Sequence, residues 1–194
     1  MKQFIFVTIT VVLFMTSCEE DVYIPKPTGY ARIDFPEHAY QWSDKVSCPY
    51  YFQYGVLAQI VPVDSALNEP CWLNVEYPNQ KAKIHFTYYD LNAHEVSSLI
   101  EDTRILAMKH LVKADDFEES MIKDSQAEVY GVLYDFQGST ASNFQFYLTD
   151  SVSHFVRGAL YFEVVPHADS LAPAEKYIEE ELIHLVNSFR WVKE

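Results

Sequence analysis

A cysteine that follows a short apolar segment is the residue of this chain whose setting points most directly to chemistry. Lys2 gives a positive start, and an uncharged apolar run from Phe4 to Met15 leads into Met15-Thr16-Ser17-Cys18. A run of about 12 residues is about 18 Å long as a helix, whereas a bilayer core of about 30 Å needs roughly 20 residues. We therefore expect residues 1–17 to be a signal peptide, because the four residues ending in Cys18 resemble a bacterial lipobox.

The thiol of Cys18 is predicted to carry lipid. Cleavage after Ser17 would make Cys18 the first mature residue, where its thiol can be acylated with chains such as palmitate. Each buried methylene contributes about 0.8 kcal/mol and one chain alone binds only marginally, so two or three chains would make attachment effectively permanent. The alternative is an ordinary secreted protein in which Cys18 is incidental.

The two other cysteines form a candidate disulfide. With Cys18 modified, Cys48 and Cys71 remain as a single pair in an oxidising compartment. A bridge would close a loop of about 23 residues and contribute roughly 3 kcal/mol if it acts through chain entropy. We expect this bridge, and two buried free thiols are the alternative.

The motifs that could support catalysis or metal binding are incomplete. His94-Glu95 begins like the zinc-protease motif HExxH, but Ser98 stands where the second histidine belongs. Glu181 and His184 form one Glu-x-x-His pair where a carboxylate-bridged metal pair needs two, so a surface contact is the favoured interpretation. Residues 138–142 do not match G-x-S-x-G. We therefore expect no catalytic residue, no metal, no cofactor and no small-molecule substrate.

The charge balance restricts the partners of this chain. It has 28 acidic and 14 basic residues among 194, with a formal net charge of −14. Nucleic acid is excluded as an expected partner, and anionic headgroups would repel the domain. Acyl chains on Cys18 are then the predicted means of membrane attachment. Aromatic residues make up 15% of the chain and glycines number only 5, which is typical of a packed core.

The chain divides into three regions. After the signal peptide, residues 18–30 combine acidic residues with two prolines and predict an extended tether. Residues 31–194 predict a single α/β domain that begins with an irregular arm running to Ser47.

Alternating and branched residues predict a sheet. The predicted strands are 50–61, 72–77, 81–89, 118–122, 128–137, 143–149 and 154–165. A helix is predicted from Asn92, acting as N-cap with Glu95 in a capping box, to Lys113. A second helix is predicted to open at Pro173 and to run to Asn187, and its core stripe would be Ile178, Leu182, Leu185 and Phe189.

These elements predict an α+β fold. Hairpin-length connections favour a mostly antiparallel sheet, and the two amphipathic helices must cover its faces. The order of the elements resembles the PsbP-like fold, an α/β/α sandwich.

Several segments together resemble the gliding-motility lipoprotein GldD family. They are Pro25 to Tyr30, Arg32-Ile33-Asp34 with Pro36, Cys48-Pro49-Tyr50, Pro70 to Asn74, Ile100 to Arg104 with Lys109-His110, and Tyr177 to Trp191. The resemblance implies a non-enzymatic accessory lipoprotein that is required for gliding and works with the type IX secretion machinery. It also implies a place in the cell envelope, where we expect the outer membrane ahead of the inner and leave the periplasmic or surface face open.

The N-terminal arm carries the predicted partner contacts. We expect Tyr30, Arg32, Asp34 and Trp42 to bind another component of the machinery, and the alternative is that the arm merely packs on the sheet. Two other functions remain open. A lipid-anchored envelope hydrolase would need a deep pocket with two titratable groups in hydrogen-bond reach, and a surface glycan-binding module would need a flat row of exposed aromatic residues.

Overall fold

The structure is a computed structural model that describes residues 35–44, 46–63, 70–138, 140–163 and 168–193, with side chains from residue 173 in the last segment. All of them belong to one compact unit. The predicted signal peptide, Cys18 and the tether lie outside the described residues, as do the predicted contacts Tyr30, Arg32 and Asp34.

Seven strands form the main sheet. They are β4 (Gln59–Pro62), β5 (Leu73–Tyr77), β6 (Ala82–Asp90), β7 (Asp116–Asp124), β8 (Val129–Gln137), β9 (Phe144–Thr149) and β10 (His154–Phe162). Their order is β4-β5-β6-β10-β9-β8-β7, and every neighbouring pair is antiparallel. The mostly antiparallel sheet predicted from the sequence is confirmed.

Two short ribbons lie outside this sheet. One joins β1 (Tyr40–Trp42) to β3 (Gln53–Gly55), and the other joins β2 (Tyr50–Tyr51) to β11 (Arg190–Trp191). The prediction of a single strand over 50–61 is therefore wrong, since β2, β3 and β4 each have a different partner. The prediction of an irregular arm is also wrong for β1. Pairing with distant segments decides both cases, and local periodicity contains no information about it.

Two α-helices accompany the strands in the described part of the chain. Helix α1 (Val96–Met108) continues into a 3-10 turn at Lys109–Val112, and α2 spans Ala168–Ser188. A second 3-10 turn, Pro78–Gln80, links β5 to β6. Within the described part of the chain, no helix is both long and apolar enough to span a membrane.

Both predicted helix starts differ from the observed ones. Asn92 is not the N-cap of α1, because its side-chain amide donates to Asp90 Oδ1 at 2.9 Å in the turn after β6. Glu95 occupies the N-cap with an extended backbone and without a side-chain cap bond. Pro173 lies inside α2 instead of opening it. A proline lacks the N–H that an interior helix position donates, and α2 tolerates this loss.

The helices cover opposite faces of the main sheet. Alternate residues of β6, namely Ala82, Ile84, Phe86 and Tyr88, are buried in one core with Ile178, Leu182, Leu185 and Phe189. The predicted stripe of α2 is thus confirmed. On the other face, Ala107 of α1 packs with Tyr134 and Phe136 of β8. Three layers result, so the predicted α+β class and sandwich arrangement are confirmed.

Candidate functional site

The candidate site is the arm–helix junction, where the arm (residues 35–44) lies against α2. Backbone pairing places Tyr40 opposite Gly55 and Trp42 opposite Gln53. The side chains of Tyr40 and Trp42 lie on the same face of their strand because side chains alternate along it. The arm is thus held by a two-stranded ribbon and also contacts the last helix.

A buried carboxylate lies at the centre of this junction. Glu181 of α2 is only 1% exposed. Its Oε1 lies 2.5 Å from His38 Nδ1, and its Oε2 accepts a hydrogen bond from the Tyr77 hydroxyl at 3.2 Å. A Cβ at Gly55 would lie 2.1 Å from Oε2, so the carboxylate fills the space that glycine leaves. The predicted surface contact for Glu181 is therefore wrong.

His38 bridges two carboxylates. Its Nε2 lies 2.9 Å from Glu180 Oε2, in addition to the contact of Nδ1 with Glu181. Burial by itself would lower the pKa of His38, but the hydrogen bonds and negative charges of Glu181 and Glu180 outweigh burial and raise that pKa. Both ring nitrogens can donate only in the imidazolium form, which this setting favours.

Stacked rings extend from this charged centre along the arm. The ring of Tyr177 lies between Phe35, at a centroid distance of 4.9 Å, and His38, at 4.4 Å. Tyr40 stacks on His184 at 3.5 Å. The Phe35–Tyr177 pair lies at a separation at which aromatic rings add stabilisation beyond the area that they bury. The arm and α2 are joined by packing as well as by charge.

His184 has the opposite electrostatic character to His38. Burial lowers the pKa of His184, and positive His38 also disfavours its protonation although Glu181 opposes this. Its Nε2 lies 2.8 Å from Gln53 Oε1, to which the neutral ring donates a hydrogen bond. The predicted Glu-x-x-His pair therefore faces the arm and β3, with two different partners.

The geometry favours attachment of the arm over catalysis at this junction. Both nitrogens of His38 and both oxygens of Glu181 are hydrogen-bonded. In the part of the chain that the structure describes, no serine, threonine or cysteine side chain hydrogen-bonds to His38 or His184. The same residues contain no group of three or more His, Cys, Asp or Glu placed to hold a metal.

Trp42 is a residue of the arm whose side chain is exposed to solvent. It is 43% exposed, and among the described residues it is the one aromatic residue in the exposed class. Its ring contacts Tyr51 at a centroid distance of 5.5 Å. Of the four predicted partner contacts, Trp42 is thus the one within the described residues, and it lies at the edge of the arm–helix junction.

A disulfide fixes the chain just beyond the arm. Cys48 and Cys71 are bonded, with their Cα atoms 5.5 Å apart. The Tyr50 hydroxyl donates to the Cys71 carbonyl oxygen at 2.7 Å, which adds a second link between the same two segments. The bridge thus connects the arm end of the chain to the start of β5.

Sequence reasoning missed most of the junction. The Glu-x-x-His spacing was visible, but nothing in it identified His38 or Tyr77, which are 143 and 104 residues away from Glu181. Such contacts become visible only when the strands and α2 have assembled.

Known proteins match the chain at the level of family and of structure. The profile described as gliding motility lipoprotein GldD matches residues 20–191. The solution structure of cyanobacterial PsbP (CyanoP) from Synechocystis sp. PCC 6803 is similar, with 11% sequence identity and a TM-score of 0.45. The similarity covers 83% of this chain and 97% of that chain. No curated protein matches the chain.

Proposed function

Because this chain belongs to the GldD family of gliding motility lipoproteins, we propose that it is a membrane-anchored accessory lipoprotein of the gliding and type IX secretion machinery. It acts by binding other proteins of that machinery and not as an enzyme. The observation that carries this proposal is the family match, which extends over residues 20–191 and so includes most of the tether, the arm and nearly all of the domain.

Membership of a lipoprotein family supports lipid attachment at Cys18 and a place in the cell envelope. The net charge of −14 makes the domain itself a poor ligand for anionic headgroups, so the acyl chains supply the attraction. The tether of residues 18–30 then sets the reach of the domain. A chain of this length extends to roughly 40 Å at about 3.3 Å per residue.

The arm is the proposed surface for protein binding. Exposed tryptophans are frequent energetic centres of protein interfaces, because they bury a large area at small entropic cost. Trp42 is 43% exposed on a strand that the His38–Glu181 contact holds in place. In this proposal Tyr30, Arg32 and Asp34 extend the surface toward the tether.

The two other functions receive less support. A hydrolase needs a free base beside a nucleophile, whereas both nitrogens of His38 bond to carboxylates. A glycan-binding module needs several exposed aromatic residues in a row, and of the described residues only Trp42 is an exposed aromatic.

Site-directed crosslinking tests the arm. A photoreactive phenylalanine analogue at position 42 of the acylated protein in intact cells should capture specific machinery components. The matched control is Val152, which is 77% exposed on the loop between β9 and β10. Equal capture of bulk envelope proteins from both positions would reject the arm as the binding surface.

Lipid attachment is tested separately. Cys18→Ser should yield a folded domain that is absent from the membrane fraction, with gliding and adhesin secretion lost through misplacement. A soluble variant that retains full activity would refute the anchoring role. A deletion strain that glides and secretes normally would refute the functional proposal as a whole.

A further inference from the structure

A groove on the main sheet lies away from the arm–helix junction. It has a volume of about 390 Å³. It is lined by Trp72, which immediately precedes β5, and by side chains of β6 and β10, among them His85, Thr87, Arg157 and Tyr161. Sites for small organic groups span about 300–1,000 Å³, so this groove, which we call the sheet groove, falls at the lower end.

The lining of the sheet groove contrasts with the rest of the chain. The chain has twice as many acidic as basic residues, 28 against 14, yet none of the described residues that line the groove is an aspartate or a glutamate. Among these described lining residues, donors are offered by Arg157, His85 and Tyr161, while the Thr87 hydroxyl already donates to the Arg157 carbonyl oxygen at 3.5 Å. A negative group would therefore meet donors there without repulsion from a lining carboxylate.

Arg157 has no partner for its charge among the described residues. Its Nε is buried without a hydrogen bond, and no carboxylate of the described residues lies within ion-pair distance of its guanidinium. The two other arginines among the described residues are paired: Arg104 contacts Glu101 at 3.7 Å, and Arg190 contacts Asp124 at 3.5 Å. A half-buried guanidinium with its donors unused is the unusual group in this fold.

Further unpaired polar atoms lie on the same face of the sheet. The strand register places Asn74 opposite His85, His85 opposite Ala159, and Ala159 opposite Gln145. Asn74 Oδ1 and both amide atoms of Gln145 are buried without a partner in the described residues. Buried polar atoms without a partner are rare in folded proteins. Neither Asn74 nor Gln145 lines the groove itself, so Arg157 is the unpaired group that a ligand in the groove would meet.

We propose that the sheet groove binds a carboxylate group, with the guanidinium of Arg157 as the principal contact. Arginine presents a planar fork of donors that matches a carboxylate in two parallel hydrogen bonds. His85 supplies a neutral donor, since burial and the nearby charge of Lys83 lower its pKa although Glu76 opposes them. One unpaired positive charge matches a single negative charge, which favours a carboxylate over a doubly charged phosphate. Trp72 and Tyr161 give apolar walls for the remainder of the ligand.

Calorimetric titration of the full-length protein in detergent tests this site. The probes are benzoate, its neutral counterpart benzamide, and acetyl-Ala-Ala with either a free or an amidated carboxyl end. Arg157→Gln removes the charge and keeps a hydrogen-bonding side chain. Arg104→Gln is the matched control, because Arg104 is exposed on α1 and pairs with Glu101 at 3.7 Å.

The charged probes should bind and the neutral ones should not. Arg157→Gln should weaken binding at least tenfold, Arg157→Lys should weaken it less, and Arg104→Gln should leave it unchanged. Binding of benzoate would indicate a free organic acid, and binding of the free peptide alone would indicate a chain terminus of a protein partner. Equal binding of benzoate and benzamide, undiminished binding by Arg157→Gln, or no binding of either charged probe at 50 mM would overturn the proposal. The comparison of charged with neutral probes on the unaltered protein holds even if the variants fold poorly, and none of these results depends on the function of the arm.

Discussion

Replacing His38 with glutamine tests whether the buried carboxylate of Glu181 depends on a positively charged partner. His38 contacts Glu181 Oε1 at 2.5 Å and Glu180 Oε2 at 2.9 Å. His38→Gln keeps one hydrogen-bond donor near Glu181 and removes the charge. The Tyr77 hydroxyl continues to donate to the other oxygen of Glu181.

The expected loss of stability follows from these contacts. A hydrogen bond to a charged group contributes about 1.5–3 kcal/mol, and removing one partner of a buried ion pair costs about 3–5 kcal/mol. Because the new glutamine and Tyr77 can still donate hydrogen bonds to the Glu181 carboxylate, we expect a smaller loss of stability than the loss of about 3–5 kcal/mol that an unpaired buried charge causes. The free energy of unfolding should fall by about 2–3 kcal/mol at pH 6.

The loss should depend on pH in a definite direction. The pKa of His38 in the folded protein is raised above its ordinary value of 6.5. The ion pair therefore stabilises fully below pH 6.5, and its contribution disappears as the pH rises through the raised pKa. At a pH above this raised pKa the histidine is neutral, and the effect of His38→Gln should shrink to about 1 kcal/mol, which is typical of a neutral hydrogen bond.

Urea unfolding of the full-length protein at pH 6 and pH 9, followed by tryptophan fluorescence, measures both values. Glu180→Gln is the control, because the Glu180 side chain is 51% exposed and exposed ion pairs contribute about 0–1 kcal/mol. Equal losses for His38→Gln at the two pH values would refute the ion-pair argument. A loss for Glu180→Gln as large as that for His38→Gln would refute the special role of burial.

Three further predictions concern stability. Cys48→Ser combined with Cys71→Ser should lower the free energy of unfolding by roughly 3 kcal/mol, and reduction of the unaltered protein should lower its melting temperature to that of the variant. Gly131→Ala should cost at least about 2 kcal/mol in chemical denaturation, because the new Cβ would lie 1.9 Å from the Tyr147 carbonyl oxygen, a backbone atom that cannot move aside. Asp135→Asn should stabilise the protein by about 1–2 kcal/mol at pH 8, because burial, aided by nearby carboxylates, raises the pKa of Asp135 to about 6 and its ionised form is unfavourable above that pH. Thermal unfolding should show this gain growing between pH 4 and 6 and remaining constant above, and a gain that is largest at pH 4 would contradict it.

Local patterns were informative where one face of an element is buried along its whole length. The alternation over 81–89 placed Ala82, Ile84, Phe86 and Tyr88 on one face, and all four are buried. The stripe of the second helix was likewise correct, because burial on one side imposes a period of 3.6 residues. The strand predicted at 118–122 is the centre of β7, Asp116–Asp124.

Patterns failed where a segment has more than one neighbour. The residue types of 50–61 are uniformly typical of a strand. The segment nevertheless forms three separate strands, β2, β3 and β4, and each pairs with a different partner. Asn92 is a good N-cap by residue type, but a carboxylate two residues earlier, Asp90, captures its side chain. In both cases competing contacts decided between conformations that have similar local energies.

The sequence by itself determined the α+β class, the positions of most strands, the stripe of α2 and the candidate pairing of Cys48 with Cys71. These features depend on residue type and short-range spacing, which folding does not alter. Only the tertiary structure decided that β10 lies between β6 and β9, that Glu181 is buried against His38 and Tyr77, and that Arg157 has no partner among the described residues. Those features are contacts between distant parts of the chain. Whether a charged side chain becomes buried, paired or unpaired depends on what the fold places beside it, and spacing along one segment cannot specify this.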